Sequence, residues 1–264
     1  MEVSDIRARA RRGKTSFGLV LGMSDPYVID MAYCAGYQFV RIDCEHVLYD
    51  YNTLKTFFNA ARHLGLAAQI RIPDLRNISA ILALEPAAIV LPDVNSRKMA
   101  QEAIDAVKFP PLGNRGMNGG TRSVRFGPFS RDEYMKTGND RLDLVVQIES
   151  KEGLEHIDEI LSLDGIDMVA SGKADLSQAL GVSGQKDHPD VIAAENYIIE
   201  KAKQYGKILT LSVSTPERFQ ELKEKGVHCF SIGRDEDLCL KAVRSQLKKM
   251  SRAEQMMAVC SGEE

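Results

Sequence analysis

The chain has 264 residues, of which 44% are hydrophobic and 27% charged, and its formal net charge is -3. That length suits one α/β barrel of ~250 residues; the charge balance gives no basic face for nucleic acid or an anionic membrane, and no apolar run reaches the ~18 residues of a bilayer span. The opening MEVSDIRARARRGK is charged and lacks an apolar centre, so it does not read as a secretory signal, and Cys34, Cys44, Cys229, Cys239 and Cys260, without metal-type spacing, read as free thiols of a cytoplasmic protein.

In chain order, short apolar or β-branched runs alternate with longer stretches of helical period. SFGLVL (16–21) is the first predicted strand, and PYVIDMAYCAG (26–36) is the helix after it, closing on Gly36. QFVRID (38–43) is followed by YNTLKTFFNAARHLG (51–65), which puts Leu54, Phe57, Phe58 and Ala61 on one face and stops at Gly65. AAQIRI (67–72) and AAIVLP (87–92) are the next strands, and Ser96 is placed to cap a helix over 96–108. Residues 109–130 are rich in Gly, Pro, Arg and Asn; irregular segments of that length inside a compact domain usually carry function. LDLVVQIE (142–149), IDMVAS (166–171), KILTLSV (207–213) and HCFSIG (228–233) complete the strands, with helical stretches over 189–206, 215–226 and 235–258. Strict alternation implies parallel pairing, because each parallel return needs a crossover. The expected fold is a single α/β domain over 1–264, a (β/α)8 TIM barrel, with an open doubly wound sheet as the runner-up.

In such a barrel, residues just past the strand ends lie on the catalytic face. Asp43, Glu45 and His46 follow the second strand, Arg71 lies in the third, Asp93 follows the fourth, Gln147 and Glu149 end the fifth, and Ser171, Lys173 and Asp175 follow the sixth. Each has an ordinary reading alone: Asp175 as a helix cap before LSQAL, Glu149 as the start of a KEGLEHIDEIL helix, His46 as a surface or core histidine. Their joint occurrence at one end points to chemistry. Glu149 and Asp175 are oxygen donors on neighbouring strands, enough with waters and a bidentate substrate for Mg²⁺ or Mn²⁺. Arg71 presents a planar fork of donors to a carbonyl or enolate oxygen, and His46 is placed to exchange protons near neutral pH. Gly172-Lys173-Ala174-Asp175 opens a short helix whose N–H groups can hold a carboxylate. The set suits enolate chemistry on a small 2-oxo acid.

RIDCEH (41–46), QIRIP (69–73), VLP (90–92), KFPPLGNRG (108–116), VVQIES (145–150), GIDMVASGKADLSQALG (165–181) and DHPDV (187–191), in that order, resemble the HpcH/HpaI aldolase family, related to 4-hydroxy-2-oxoheptanedioate aldolase. The resemblance implies a barrel of the phosphoenolpyruvate/pyruvate-binding type and a homo-oligomer, often a hexamer, that exchanges its last helix. It implies metal-dependent (class II) cleavage of a 4-hydroxy-2-oxo acid to pyruvate and an aldehyde. It also implies Glu149 and Asp175 as ligands of Mg²⁺ or Mn²⁺, Arg71 on the pyruvyl oxygen, His46 as catalytic base and Gln147 at the substrate. The backbone of Ala174 and Asp175 would hold the carboxylate.

Three places depart from the family pattern. Ala83 stands where relatives carry an aspartate that pairs with the histidine; Asp43 or Asp93 is expected to replace it, Asp93 being favoured. PDLRN follows Arg71 in place of an Asn-Asp-Pro type loop. Lys173 replaces a proline before the metal aspartate, its side chain either leaving for solvent or entering the mouth against the cation. The alternatives to a lyase are a C–C bond-forming synthase, as in a citrate-forming siderophore-pathway relative that needs no metal, and a non-catalytic 2-oxo-acid-binding barrel.

Overall fold

The period of two along each short apolar run decides which side chains meet. In the computed structural model, which describes residues 3–117 and 130–261 with side chains as far as residue 252, eight such runs form a closed parallel barrel. The strands are β1 (Ser16–Leu21), β2 (Phe39–Asp43), β3 (Ala67–Arg71), β4 (Ala88–Leu91), β5 (Asp143–Gln147), β6 (Met168–Ala170), β7 (Ile208–Ser212) and β8 (Cys229–Arg234). Each pairs with its neighbour in sequence, and β8 pairs with β1. That last pairing excludes the open sheet. The described helices are α1 (Ile6–Arg11), α2 (Tyr27–Cys34), α3 (Tyr51–Leu64), α4 (Ile78–Leu82), α5 (Arg97–Val107), α6 (Arg131–Arg141), α7 (Lys151–Glu155), α8 (Ile157–Leu161), α9 (Lys173–Ala179), α10 (Pro189–Gln204), α11 (Pro216–Glu224) and α12 (Asp235–Ser261). None of the described helices is long and apolar enough to cross a membrane.

The chain's stop signals act as expected. Gly36 and Gly65 take left-handed φ values of 88° and 77°, and Ser96 Oγ accepts the N–H of Met99. The fifth strand ends at Gln147, short of the predicted 149, so Glu149 stands beyond the ladder where its carboxylate can turn into the mouth. KEGLEHIDEIL is broken at His156 into α7 and α8. Three described helices lie outside the predicted set, α1, α4 and α6. The last starts from a capping box in which Ser130 and Glu133 bond reciprocally. Most of the irregular 109–130 segment, residues 118–129, lies outside the described residues. Cys34, Cys44, Cys229 and Cys239 are free thiols.

Outward side chains such as Leu21, Ile42, Ile70 and Val146 pack with Ile29, Phe57 and Phe58 of the helices. Inward ones, Phe39, Ala67, Ala88, Val145, Met168 and Cys229, join Ile6 and Ala10 of α1, which closes the barrel's N-terminal end. A Cβ on Gly18 would lie 2.0 Å from the Phe39 ring, so glycine there gives the ring its place.

Charges finish that closed end. Arg7 bonds Asp167 and lies 3.1 Å from Asp143. Lys108, 1% exposed, donates from Nζ to Asp167 Oδ2 at 2.6 Å and to the Leu142 carbonyl. Removing one partner from a buried pair strands the other. Lys108→Met is therefore expected to lower unfolding free energy by ~3 kcal/mol in urea titrations; a change under ~1 kcal/mol would show that Arg7 alone satisfies Asp167.

Candidate active site

At the C-terminal end of the barrel, parallel register sets a carboxylate beside a guanidinium: Asp43 of β2 pairs with Arg71 of β3. Arg71 Nε and Nη2 donate to Asp43 Oδ1 and Oδ2 at 3.0 and 2.9 Å, and Nη1 lies 2.8 Å from Glu45 Oε2. Arg234, at the end of β8, donates from Nη1 to the same Asp43 Oδ2 at 2.7 Å and from Nε to Glu236 at 2.8 Å. Burial works against charge on Asp43, but the hydrogen bonds from Arg71 and Arg234 outweigh it and hold the carboxyl down at about 2. The fork of Arg71 keeps one N–H on each terminal nitrogen for a further acceptor.

Across the mouth, Glu149 is 5% exposed. Its Oε1 accepts the backbone N–H of Asp93 at 3.0 Å, and its Oε2 accepts from Gln147 Nε2. Burial pushes its carboxyl up to about 7; Asp175 and Glu45 push the same way, against those two hydrogen bonds. Asp175 is exposed in the first turn of α9, whose N-cap is Gly172 and not Asp175 itself. A Cβ built on Gly172 would lie 2.4 Å from Glu149 Oε2 and 3.0 Å from Asp175 Oδ2. The two carboxylate oxygens are thus no farther apart than the sum of those distances, around a space that only a glycine leaves open. Carboxylate oxygens are the donors that a hard divalent cation takes. Among the described residues no group of three His, Cys, Asp or Glu side chains could hold an ion, so other positions would fall to water or substrate.

The remaining predicted residues divide. His46 stands at the rim, 58% exposed, with Nε2 3.7 Å from Glu45 Oε2. The structure brings neither Asp43 nor Asp93 to it. Both oxygens of Asp43 are taken by arginines, and Asp93, at a left-handed φ of 44°, serves Glu149 through its backbone. No direct contact joins His46 to the favoured Asp93, and Glu45 is the carboxylate beside His46. Lys173 pairs with Asp187, its Nζ donating to that carboxylate at 3.1 Å. Ser171 Oγ is buried and makes no hydrogen bond. Gly172 caps α9 without a side-chain bond, so the N–H groups of Ala174 and Asp175 lie in an uncapped first turn.

Three residues escaped the sequence reading. Arg234 and Asp235 follow the predicted end of the eighth strand by one and two positions, and the strand-end filter applied there would have found them. Asp235, 3% exposed, accepts the N–H groups of Gly22 and Met23 at 2.8 and 3.1 Å. Arg41, inside the barrel, carried no signal beyond being a charge within an apolar run.

The model of the HpcH/HpaI aldolase/citrate lyase family matches residues 16–242. The chain belongs to this family. Its aldolase relatives make it a carbon–carbon lyase. The 2-keto-3-deoxy-L-rhamnonate aldolase of Klebsiella pneumoniae is 31% identical over 242 residues, 89% of each chain. The hydroxypyruvate/pyruvate aldolase of Pseudomonas aeruginosa is 31% identical over 250 residues, 92% of this chain and 91% of that one. Among solved structures, the citrate synthase SbnG superposes with a TM-score of 0.87 at 25% identity, covering 94% of this chain and 98% of the other.

In this family member, Gly172 has a φ of -110°, which alanine adopts without strain. Gly172→Ala is therefore expected to displace one carboxylate and lower turnover by about 10²-fold, the usual cost of a small misplacement, with the urea midpoint little changed. Wild-type turnover in that variant would show that the carboxylate pair is not used.

Proposed function

We propose that this mouth performs metal-dependent aldol cleavage of a 4-hydroxy-2-oxo acid to pyruvate and an aldehyde. The observation that carries the reading is the pair of carboxylates closed around Gly172, near an arginine whose fork keeps two donors free. The relatives named as 2-keto-3-deoxy-L-rhamnonate and hydroxypyruvate/pyruvate aldolases support the substrate class.

Glu149 and Asp175 would hold a Mg²⁺ or Mn²⁺ ion. When bound, such an ion supplies Lewis-acid stabilisation of negative charge on substrate oxygens. Arg71 offers its two remaining N–H groups to the 2-oxo oxygen. In cleavage the C4 hydroxyl gives up its proton, the C4–O bond becomes the aldehyde carbonyl, and the electrons of the C3–C4 bond pass toward the 2-oxo oxygen. A proton added at C3 completes pyruvate. His46, at the rim, is the base assigned to the hydroxyl proton. Gln147 orients Glu149, and the N–H groups of Ala174 and Asp175 receive the substrate carboxylate. The active form is a homo-oligomer: α12 exposes Leu240, Val243, Leu247 and Met250 as one stripe at helical spacing, which a second copy would cover.

Pyruvate release, coupled to lactate dehydrogenase, tests the proposal. Wild type should need added Mn²⁺, and Glu149→Gln and Asp175→Asn should each abolish the metal-dependent rate with the fold intact. Undiminished release in chelator would overturn the metal reading. Condensation without metal would instead favour the synthase, and 2-oxo-acid binding without turnover the binding barrel.

Arg71→Lys keeps the charge and loses the planar fork. Turnover should fall ~10²–10³-fold, as for loss of an oxyanion donor. Near-normal turnover would make the arginine structural.

A further inference from the structure

One layer below the mouth lies a charge that the proposed reaction does not use. Arg41 is on β2, two residues before Asp43. Its neighbours Val40 and Ile42 pack outward, so its own side chain enters the barrel. Nε and Nη2 donate to Gln69 Oε1 on β3 at 3.1 and 2.9 Å, and Nη2 reaches across to Thr210 Oγ1 on β7 at 3.0 Å. All three residues are buried. Both partners are neutral. Burial, then the nearby Arg71, brings the guanidinium down to about 10, still charged at neutral pH.

A buried charge without a counter-ion is costly, and an apolar side chain of similar volume generally serves stability as well or better. The use of Arg41 therefore lies in its field. Above it the mouth is acidic. Arg71 and Arg234 are already outnumbered by their partners Asp43, Glu45 and Glu236, while Glu149 and Asp175 stand opposite. A 2-oxo acid is itself an anion and gains charge on its oxo oxygen as it reacts.

We propose that Arg41 is the fixed counter-charge that lets this acidic mouth accept a 2-oxo monocarboxylate. It acts from below through the low-dielectric interior and touches no substrate atom. Arg71 and Asp43 both feel it, the one disfavouring and the other favouring its charge. The inference rests on the substrate class proposed above.

Removing the charge should move cation and anion binding in opposite directions, which loss of packing would not do. The variant is Arg41→Met combined with Gln69→Leu, so that no orphaned amide remains. Mn²⁺ affinity, read by electron paramagnetic resonance without substrate, should rise. Pyruvate affinity, read by calorimetry at saturating Mn²⁺, should fall about tenfold, the scale of one unit charge across a protein interior. The urea midpoint should hold or increase. Arg41→Lys, which restores a cation at the same level of the barrel, should return both affinities toward wild type. A drop in both affinities, or a lower urea midpoint, would show that the arginine is kept for packing and would overturn the inference, as would unchanged affinities. A wild type that binds neither Mn²⁺ nor pyruvate would instead sink the proposed function itself.

Discussion

Asp43 is closed off from water, and its two oxygens are divided between guanidinium groups from two other strands. Through this one carboxylate the ends of β2, β3 and β8 are fixed relative to one another. Isolated there, the group would give up its charge; two arginines keep it ionised, and it keeps both of them in place. The fork of Arg71 is thereby held in one orientation, which its proposed role as a donor to developing oxyanion charge requires. Asp235, next to Arg234, does for the β1–α2 loop what Asp43 does for the strands, accepting two backbone N–H groups. Two adjacent residues at the end of β8 thus tie down the mouth on both sides.

The barrel separates its charges by height. Arg7, Lys108, Asp143 and Asp167 close the N-terminal end, where α1 plugs the interior and every pairing serves cohesion. Arg41, Gln69 and Thr210 form a polar layer inside the barrel. The carboxylates and arginines of the mouth lie above; Arg71, Glu45 and Arg234 are half-buried and Asp175 is exposed. This division follows from the parallel barrel itself, in which every strand delivers its last side chains to the same face.

The strands were legible because parallel strands buried on both faces read as continuous apolar runs, and the glycines at 36 and 65 mark helix ends that only left-handed backbone can make. Which residues would sit at the mouth was legible for the same reason. Their partners were not. Arg234 reaches Asp43 across 191 positions of sequence, a contact created by closing the barrel. The period of β2 puts Arg41 inside, yet nothing local says that Gln69 and Thr210 will meet it. The failure at His46 has the same origin. Asp43 and Asp93 are near it in the sequence pattern, but Asp43 is committed to two arginines and the side chain of Asp93 makes no direct contact with the ring. The helix α6 is a different case, since Ser130 and Glu133 carry a local capping signal that could be read without the fold.

Lys173 shows how sharply tolerance changes along the loop that carries Asp175. A proline there would have stiffened the turn. The turn is held instead by the bond from the Leu176 N–H to the Gly172 carbonyl at 2.9 Å and by the crowding around Gly172. The lysine side chain, itself 18% exposed, pairs with Asp187, whose side chain is 93% exposed. A pair with one fully hydrated member contributes ~0–1 kcal/mol, so its worth lies in where it sends the ammonium. That ammonium is bonded to Asp187 and forms no ion pair with Glu149 or Asp175. At position 172 the reverse holds, because even a methyl group meets both carboxylates. A charged side chain is accommodated at one residue, and its neighbour admits no side chain at all.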